Sequence, residues 1–170
     1  MELQWDAVIY GDSVYYRVYY GSSASSLTGY SDTYSTDETL YHLTEGSTYY
    51  ARVVAFSDYK RQTPIAESEV IQVSTSLKEV TNTKQTGATA NSVTLSWDAV
   101  AGATAYEIYR YDGWKNYTQV GSSVGTTATI SGLNAASKVQ MFVIPTKVIN
   151  GTTKISGTDI NTIYVKTAPS

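Results

Sequence analysis

The chain has 170 residues, 42% of them apolar and only 16% charged, which is too hydrophobic and too weakly charged for a disordered segment. Its net charge of -3, with no Lys/Arg cluster, leaves no electrostatic footprint for nucleic acid or for an anionic membrane surface. Cysteine is absent and histidine occurs once, at His42, so disulfides, thiolate chemistry and Cys/His metal centres are excluded and no cofactor is expected. No apolar run is long enough to insert across a bilayer. Sixteen tyrosines against two phenylalanines and three tryptophans, in a background of Ser, Thr, Val and Gly, are the chemistry of strands and turns.

In chain order, Leu3-Gln4-Trp5-Asp6-Ala7 opens a strand that returns as Leu95-Ser96-Trp97-Asp98-Ala99, an offset of 92 residues. Tyr15 to Tyr20 alternates, so that Tyr16, Val18 and Tyr20 point inward and Tyr15, Arg17 and Tyr19 outward, because Arg17 belongs in water. Asp32, Asp37 and Glu38 fall in one predicted loop region that could hold calcium, but no Asp-x-Asp-x-Asp-Gly pattern supports a metal there. His42 is placed on a strand, opposite in phase to Leu43 and therefore at the surface. Tyr49, Ala51, Val53 and Ala55 form the inward set of the next strand, with Tyr50 and Arg52 outside.

The run Val70 to Thr75 closes a first unit, residues 1–75, and Thr162 to Thr167 closes a second, residues 76–170. Leu95 is the 20th residue after Thr75 whereas Leu3 is the third of the chain, so the first unit is about 17 residues short and is expected to lack its first strand. An unpartnered edge at Glu2 would then be open to strand pairing in a dimer. In the second unit Val93, Leu95 and Trp97 share one face, and the Tyr106-Glu107-Ile108-Tyr109 run matches Tyr16 to Tyr19. Trp114 sits in a turn and is expected to be exposed, while Tyr117 is expected to pack inward. Lys147 to Ile155 is a predicted hairpin with Asn150-Gly151 at its tip. Short strands at this spacing predict an all-β chain of two tandem immunoglobulin-like β-sandwiches.

Leu-x-Trp-Asp, then Tyr-x-Val/Ile-Tyr, then Leu-x-x-Gly-x-x-Tyr, then a closing strand ending in Thr resembles the fibronectin type III domain, over essentially the whole chain. The resemblance implies a structural role for Trp5 and Trp97 as buried second-strand tryptophans, for Tyr106 in the run that follows, and for Tyr49 as the corner tyrosine whose hydroxyl bonds back to the backbone. The second unit has Val139 at the corner position, so that bond must be absent and the loop after Leu133 less constrained. No Arg-Gly-Asp occurs, so integrin adhesion is unsupported. The Ser/Thr/Gly-rich wording of Val120 to Thr127 looks like the bacterial members, which are spacers in secreted or cell-surface multimodular proteins.

No catalytic residue is expected: His42 has no nucleophile beside it, and acids such as Asp58, Glu67 and Glu69 are read as solvated charges near loops or strand ends. The leading reading is a non-catalytic spacer or interaction segment at the cell surface or outside it, whose partners are the flanking modules of a larger protein. The second reading is a module binding polysaccharide or protein through Tyr15, Arg17, Tyr19, Tyr50 and Arg52 of the first unit or Trp114 of the second. Against it, the same outward aromatics and arginines could pair across strands, at roughly 0.2–1 kcal/mol per pair, and touch nothing else. A hydrolase fragment is the remote third.

Overall fold

The structure, a computed structural model, describes every residue except Asp159. It separates into two compact units, Met1–Thr75 and Ser76–Ser170, and its regular elements are all antiparallel strands. In the first unit these are β1 (Glu2–Gln4), β2 (Tyr15–Gly21), β3 (Gly29–Thr33), β4 (Asp37–Thr39), β5 (Thr48–Phe56), β6 (Pro64–Glu67) and β7 (Ile71–Ser74). One sheet pairs β1 with β4, Leu3 opposite Glu38; the other has the order β3-β2-β5, with both β6 and β7 pairing to β5. Alternation turns Tyr16 and Val18 into the interior, where Val18, Leu40 and Ala51 form a core joined by Leu3, Trp5, Tyr20 and Val53.

Two sequence expectations need correction here. His42 lies in the bend between β4 and β5, exposed and with a φ of 58°, rather than on a strand. The chain leaves one sheet for the other at this point, and a left-handed residue makes the turn. Asp32, Asp37 and Glu38 lie within β3 and β4, which a three-residue turn at Tyr34 to Thr36 connects, so the expected loop is only that turn.

The second unit comprises β8 (Lys84–Ala88), β9 (Ser92–Ser96), β10 (Ala105–Gly113), β11 (Asn116–Ser123), β12 (Thr127–Ser131), β13 (Lys138–Ile149), β14 (Thr153–Ser156) and β15 (Thr162–Lys166). Its sheets have the orders β8-β9-β12 and β11-β10-β13-β14, with β15 also on β13. Val93, Leu95, Ile108, Met141, Val143 and Val165 are the centre of its core. The β13–β14 hairpin turns through Asn150 and Gly151, at φ 52° and 69°, the two positive values that a type I′ turn needs and that these residue types supply.

Three anchors recur in both units. Trp5 meets Tyr16 with ring centroids 5.5 Å apart, and Trp97 meets Tyr106 at 5.4 Å. Both indole Nε1 groups are buried with no hydrogen-bond partner among the described residues, so packing holds these rings. Trp97 is enclosed, in a core that includes Leu77 and Val80 from the lead-in; Trp5, expected buried, is only half-buried and borders an opening of about 230 Å³ with Val8 and Ala66. The second anchor is the hydroxyl of the same tyrosine. Tyr16 accepts from the Val8 N–H at 3.0 Å, and Tyr106 from the Val100 N–H at 2.9 Å, tying the loop after each tryptophan to the neighbouring sheet.

The third anchor is the closing threonine. Thr75 Oγ1 accepts from the Ser47 N–H at 3.0 Å and donates to the Thr44 carbonyl at 2.8 Å; Thr167 Oγ1 accepts from the Ser137 N–H at 2.9 Å and donates to the Asn134 carbonyl at 2.6 Å. In the first unit the Tyr49 hydroxyl adds a bond from the Thr44 N–H at 3.0 Å. Val139 can supply none, as expected, although Ser137 Oγ donates a second bond to the Asn134 carbonyl, at 2.6 Å.

In urea denaturation of the full chain, Tyr106→Phe is expected to lower stability by about 1–3 kcal/mol, because the buried Val100 N–H loses its acceptor, and Tyr16→Phe by about 0.5–1.5 kcal/mol at a less buried site. Thr167→Val leaves the Ser137 N–H without its acceptor, while the Asn134 carbonyl keeps Ser137 Oγ, and is expected to cost about 1 kcal/mol or more; no measurable loss would show that this clamp is idle.

Candidate functional site

Each larger sheet has an outer face, and on both units that face hides apolar side chains. In the first unit Val54 and Phe56, each 5% exposed, lie opposite Arg17 and Tyr15 of β2. In the second unit Phe142 and Ile144, 3% and 8% exposed, lie opposite Tyr109 and Glu107 of β10. What covers them differs.

On the first unit the cover is an aromatic and ionic ladder. Arg17 donates to Asp32 through Nε at 2.6 Å and Nη2 at 2.9 Å, and its guanidinium stands 4.2 Å from the Tyr30 ring and 5.9 Å from that of Tyr19. The Arg17 guanidinium first, and the charge of Arg61 in addition, hold the Asp32 carboxyl below the usual carboxylate range. Arg52 pairs with Glu67 at 3.4 Å and lies 5.8 Å from the Tyr19 ring. Tyr15 packs edge-on against Tyr34 at 5.5 Å. Tyr50 lies further along β5, half-buried, opposite Gly21 and Gln72.

Arg61 closes this arrangement. At a φ of 53°, it donates to the carbonyls of Tyr16, Tyr59 and Thr33 and pairs with Asp32 at 3.3 Å, with only 8% of its side chain exposed. Of the expected binding residues, Arg17, Tyr19 and Arg52 are thus brought together, but they are occupied with one another, Asp32 and Glu67. Arg61, Asp32, Tyr30 and Tyr34 were not anticipated; the arginine sits in a loop, where period-two reading gives no direction.

On the second unit the cover is aromatic and open. Tyr109 stacks on Phe142 at 5.3 Å with 14° between planes, and Tyr117 stands nearly perpendicular to both at 5.6 Å. Tyr117 is 54% exposed rather than packed inward. The register sets it opposite Tyr111, on the face that Tyr109 shares. Trp114, 82% exposed, occupies the tip of the β10–β11 hairpin beside Lys115 at φ 57°. Together with Tyr111, Gln140, Phe142, Ile160 and Thr162 these residues line a groove of about 630 Å³. A second hollow of about 240 Å³ shares Tyr117, Phe142 and Ile160 and continues to Glu107, Tyr109 and Lys154.

The charges at that inner end neutralise each other. Lys154 Nζ donates to Glu107 Oε1 at 2.8 Å, and the Tyr109 hydroxyl donates to Oε2 at 2.8 Å. Lys154 first, then the phenol, holds the Glu107 carboxyl below its ordinary range; burial first, then the carboxylate, pushes the Tyr109 phenol up to about 12. Gln140 Nε2 donates to Thr162 Oγ1 at 3.0 Å. Only Trp114 of this group was anticipated as a contact residue. The signal for the rest was present in Met141-Phe142-Val143-Ile144, apolar in both phases, which requires cover on both faces.

Three further acids carry structural bonds. Asp37 accepts from Ser35 Oγ at 2.6 Å, Glu38 from Ser31 Oγ at 2.8 Å, and Asp58 from the N–H groups of Gln62 and Thr63 at 3.0 and 2.7 Å.

No protein-family model matches the chain. In sequence it is similar to chitinase A1 of Niallia circulans, 40% identical over 167 residues, a match that covers 90% of this chain and 21% of the chitinase. The chain thus spans about a fifth of the length of that relative. Among solved structures it is similar to a two-domain fibronectin type III segment of chicken tenascin, at 18% identity and a TM-score of 0.49, over 98% of this chain and 91% of that one. It is also similar to the fibronectin type III domain of human fibronectin type III domain containing protein 3, at 15% identity and a TM-score of 0.47, over 58% of this chain and 92% of that one. The tryptophan packed on the tyrosine of the following strand and the closing threonine are common to both units, and the chain is a tandem pair of antiparallel β-sandwich units similar to fibronectin type III domains.

Proposed function

We propose that this chain is a non-catalytic interaction segment of a multimodular extracellular protein that works on polysaccharide, with the first unit serving as a spacer and the second as the contacting unit. The observation that carries the reading is the contrast between the two outer faces. Covering Val54 and Phe56 engages Arg17 and Arg52 in ion pairs and sets Arg17 and Arg61 against the exposed rings of Tyr30 and Tyr34, whereas covering Phe142 and Ile144 leaves Tyr111, Trp114 and Tyr117 around a groove. Large exposed aromatic patches on soluble domains mark contact surfaces.

The similarity to a chitinase over nine-tenths of the chain supports the polysaccharide setting, and a polymer of that size is met outside the cell. The non-catalytic part of the reading is supported by the acids. Glycosidic hydrolysis needs two carboxyl groups free to exchange a proton and to attack or activate water. Asp32, Asp37, Glu38, Asp58, Glu67 and Glu107 are each held by a hydroxyl, an amide or a cation.

The purified chain, incubated with colloidal chitin and with soluble β-glucan, is expected to release no reducing sugar above the blank between pH 5 and 8. Turnover that is lost in Glu107→Gln would overturn the non-catalytic reading. Fractionation of the source cells is expected to find the parent protein outside the cytoplasm, and an exclusively cytoplasmic parent would contradict the extracellular setting.

A further inference from the structure

We infer that the groove on the second unit is a subsite for an uncharged chain of β-linked pyranose sugars, with Trp114 and Tyr117 as its stacking platforms; the inference rests on the polysaccharide setting proposed above. Four observations favour this occupant. The first is shape: at about 630 Å³, the groove falls within the range of small-ligand sites and is far smaller than the footprint of a folded partner.

The second is the kind of apolar surface. Trp114 and Tyr117, at 82% and 54% exposure, are joined by Tyr111 at 40%, so three flat rings, with Ile160 beside them, meet the solvent. A β-linked pyranose presents a flat face of axial C–H groups, and the electron-rich face of an aromatic ring is its apolar complement. The ring of Tyr117 is also fixed in advance. Tyr117 is braced against Tyr109 and Phe142 at 5.6 Å, and Trp114 rides on a two-residue hairpin turn closed by the Gly113–Asn116 pair. Rings already held in place lose little freedom on binding.

The third observation is polar reach. Gln140 and Thr162 line the same groove and hydrogen-bond to each other at 3.0 Å. An amide and a hydroxyl of this kind can exchange that bond for the hydroxyls or acetamido group of a sugar. The fourth is charge. Glu107 and Lys154 at the inner end are paired at 2.8 Å, so the hollow there presents a near-neutral field and does not select an anion or a cation. The equivalent face of the first unit is built differently: the position matching Phe142 is Arg52 and that matching Glu107 is Arg17, both ion-paired, and its exposed rings, Tyr30 and Tyr34, lie against arginine guanidinium groups.

The test is isothermal titration calorimetry of the full chain with chitohexaose, cellohexaose and, as a charged comparison, tetragalacturonate, at two ionic strengths. Saturable binding of at least one neutral hexasaccharide is expected, with little salt dependence and with weaker binding of the anionic chain. Trp114→Ala and Tyr117→Ala are each expected to weaken binding about tenfold or more, Trp114→Phe by less, and Tyr30→Ala on the first unit by less than about twofold. Far-UV circular dichroism and the urea midpoint identify a variant that has lost its fold, and Trp114→Ala, on an exposed turn, is expected to keep both. Absence of binding to either neutral hexasaccharide, or binding that is indifferent to Trp114→Ala and Tyr117→Ala, overturns the assignment. Self-association in light scattering that Trp114→Ala abolishes also overturns it, in favour of a second copy of the chain. The reducing-sugar assay is independent of these outcomes, so the non-catalytic reading can survive when the subsite fails.

Discussion

Strands β5 and β13 each run through the middle of a sheet with apolar side chains on both faces, and that double requirement for cover organises the rest of each unit. The inner faces are met by the other sheet: Leu3 and Leu40 pack against Val18 and Ala51 in the first unit, and Val93, Leu95 and Ile130 against Ile108, Met141 and Val165 in the second. Burial there is the main force holding the sandwich, at roughly 25 cal/mol per Å² of apolar surface removed from water. The outer faces must be met by neighbours on the same sheet. Cross-strand pairing is the only local means, and the two units use it with different chemistry.

In the first unit an arginine serves as the cover. Its aliphatic stem shields Val54 while its charged head pairs with Asp32 and lies against Tyr30. Arg61 repeats the device from a loop, with its guanidinium 5.6 Å from the Tyr34 ring and 6.0 Å from that of Tyr15. In the second unit aromatic rings perform the shielding, and rings cover a neighbour without consuming their own outer faces. The groove is therefore a by-product of how β13 is buried, and its aromatic lining follows from the same need.

Much of this was legible in the sequence. The repeat of Leu-x-Trp-Asp, the alternation at Tyr15 to Tyr20 and the Asn150-Gly151 turn each encode a local geometry that tertiary contacts do not alter. The outward phase of Tyr15, Arg17 and Tyr19 follows from alternation alone. What alternation does not tell is whether an outward side chain is free, because that depends on the strand placed beside it. Arg17 was legible as outward, but its pairing with Asp32 depends on the register of β2 with β3. Tyr117 was assigned to the wrong face because β11 is bulged against β10, and a one-residue shift exchanges the faces of a strand. The loop after Leu133 lacks the phenol that accepts from the Thr44 N–H in the first unit, while two hydroxyls from Ser137 and Thr167 converge on its Asn134 carbonyl, a contact that alternation does not encode.

The central claim is that the arginines and tyrosines of the first unit's outer face are engaged with one another, whereas Trp114 and Tyr117 of the second line a groove. Hydroxyl-radical footprinting of the full chain, read residue by residue by mass spectrometry, tests this most directly. Trp114 is expected to react fastest, Tyr117 faster than Tyr15 and Tyr19, and Tyr16, Tyr106 and Phe142 least. Fast oxidation of Phe142, or a Tyr19 that reacts as quickly as Tyr117, would contradict the account.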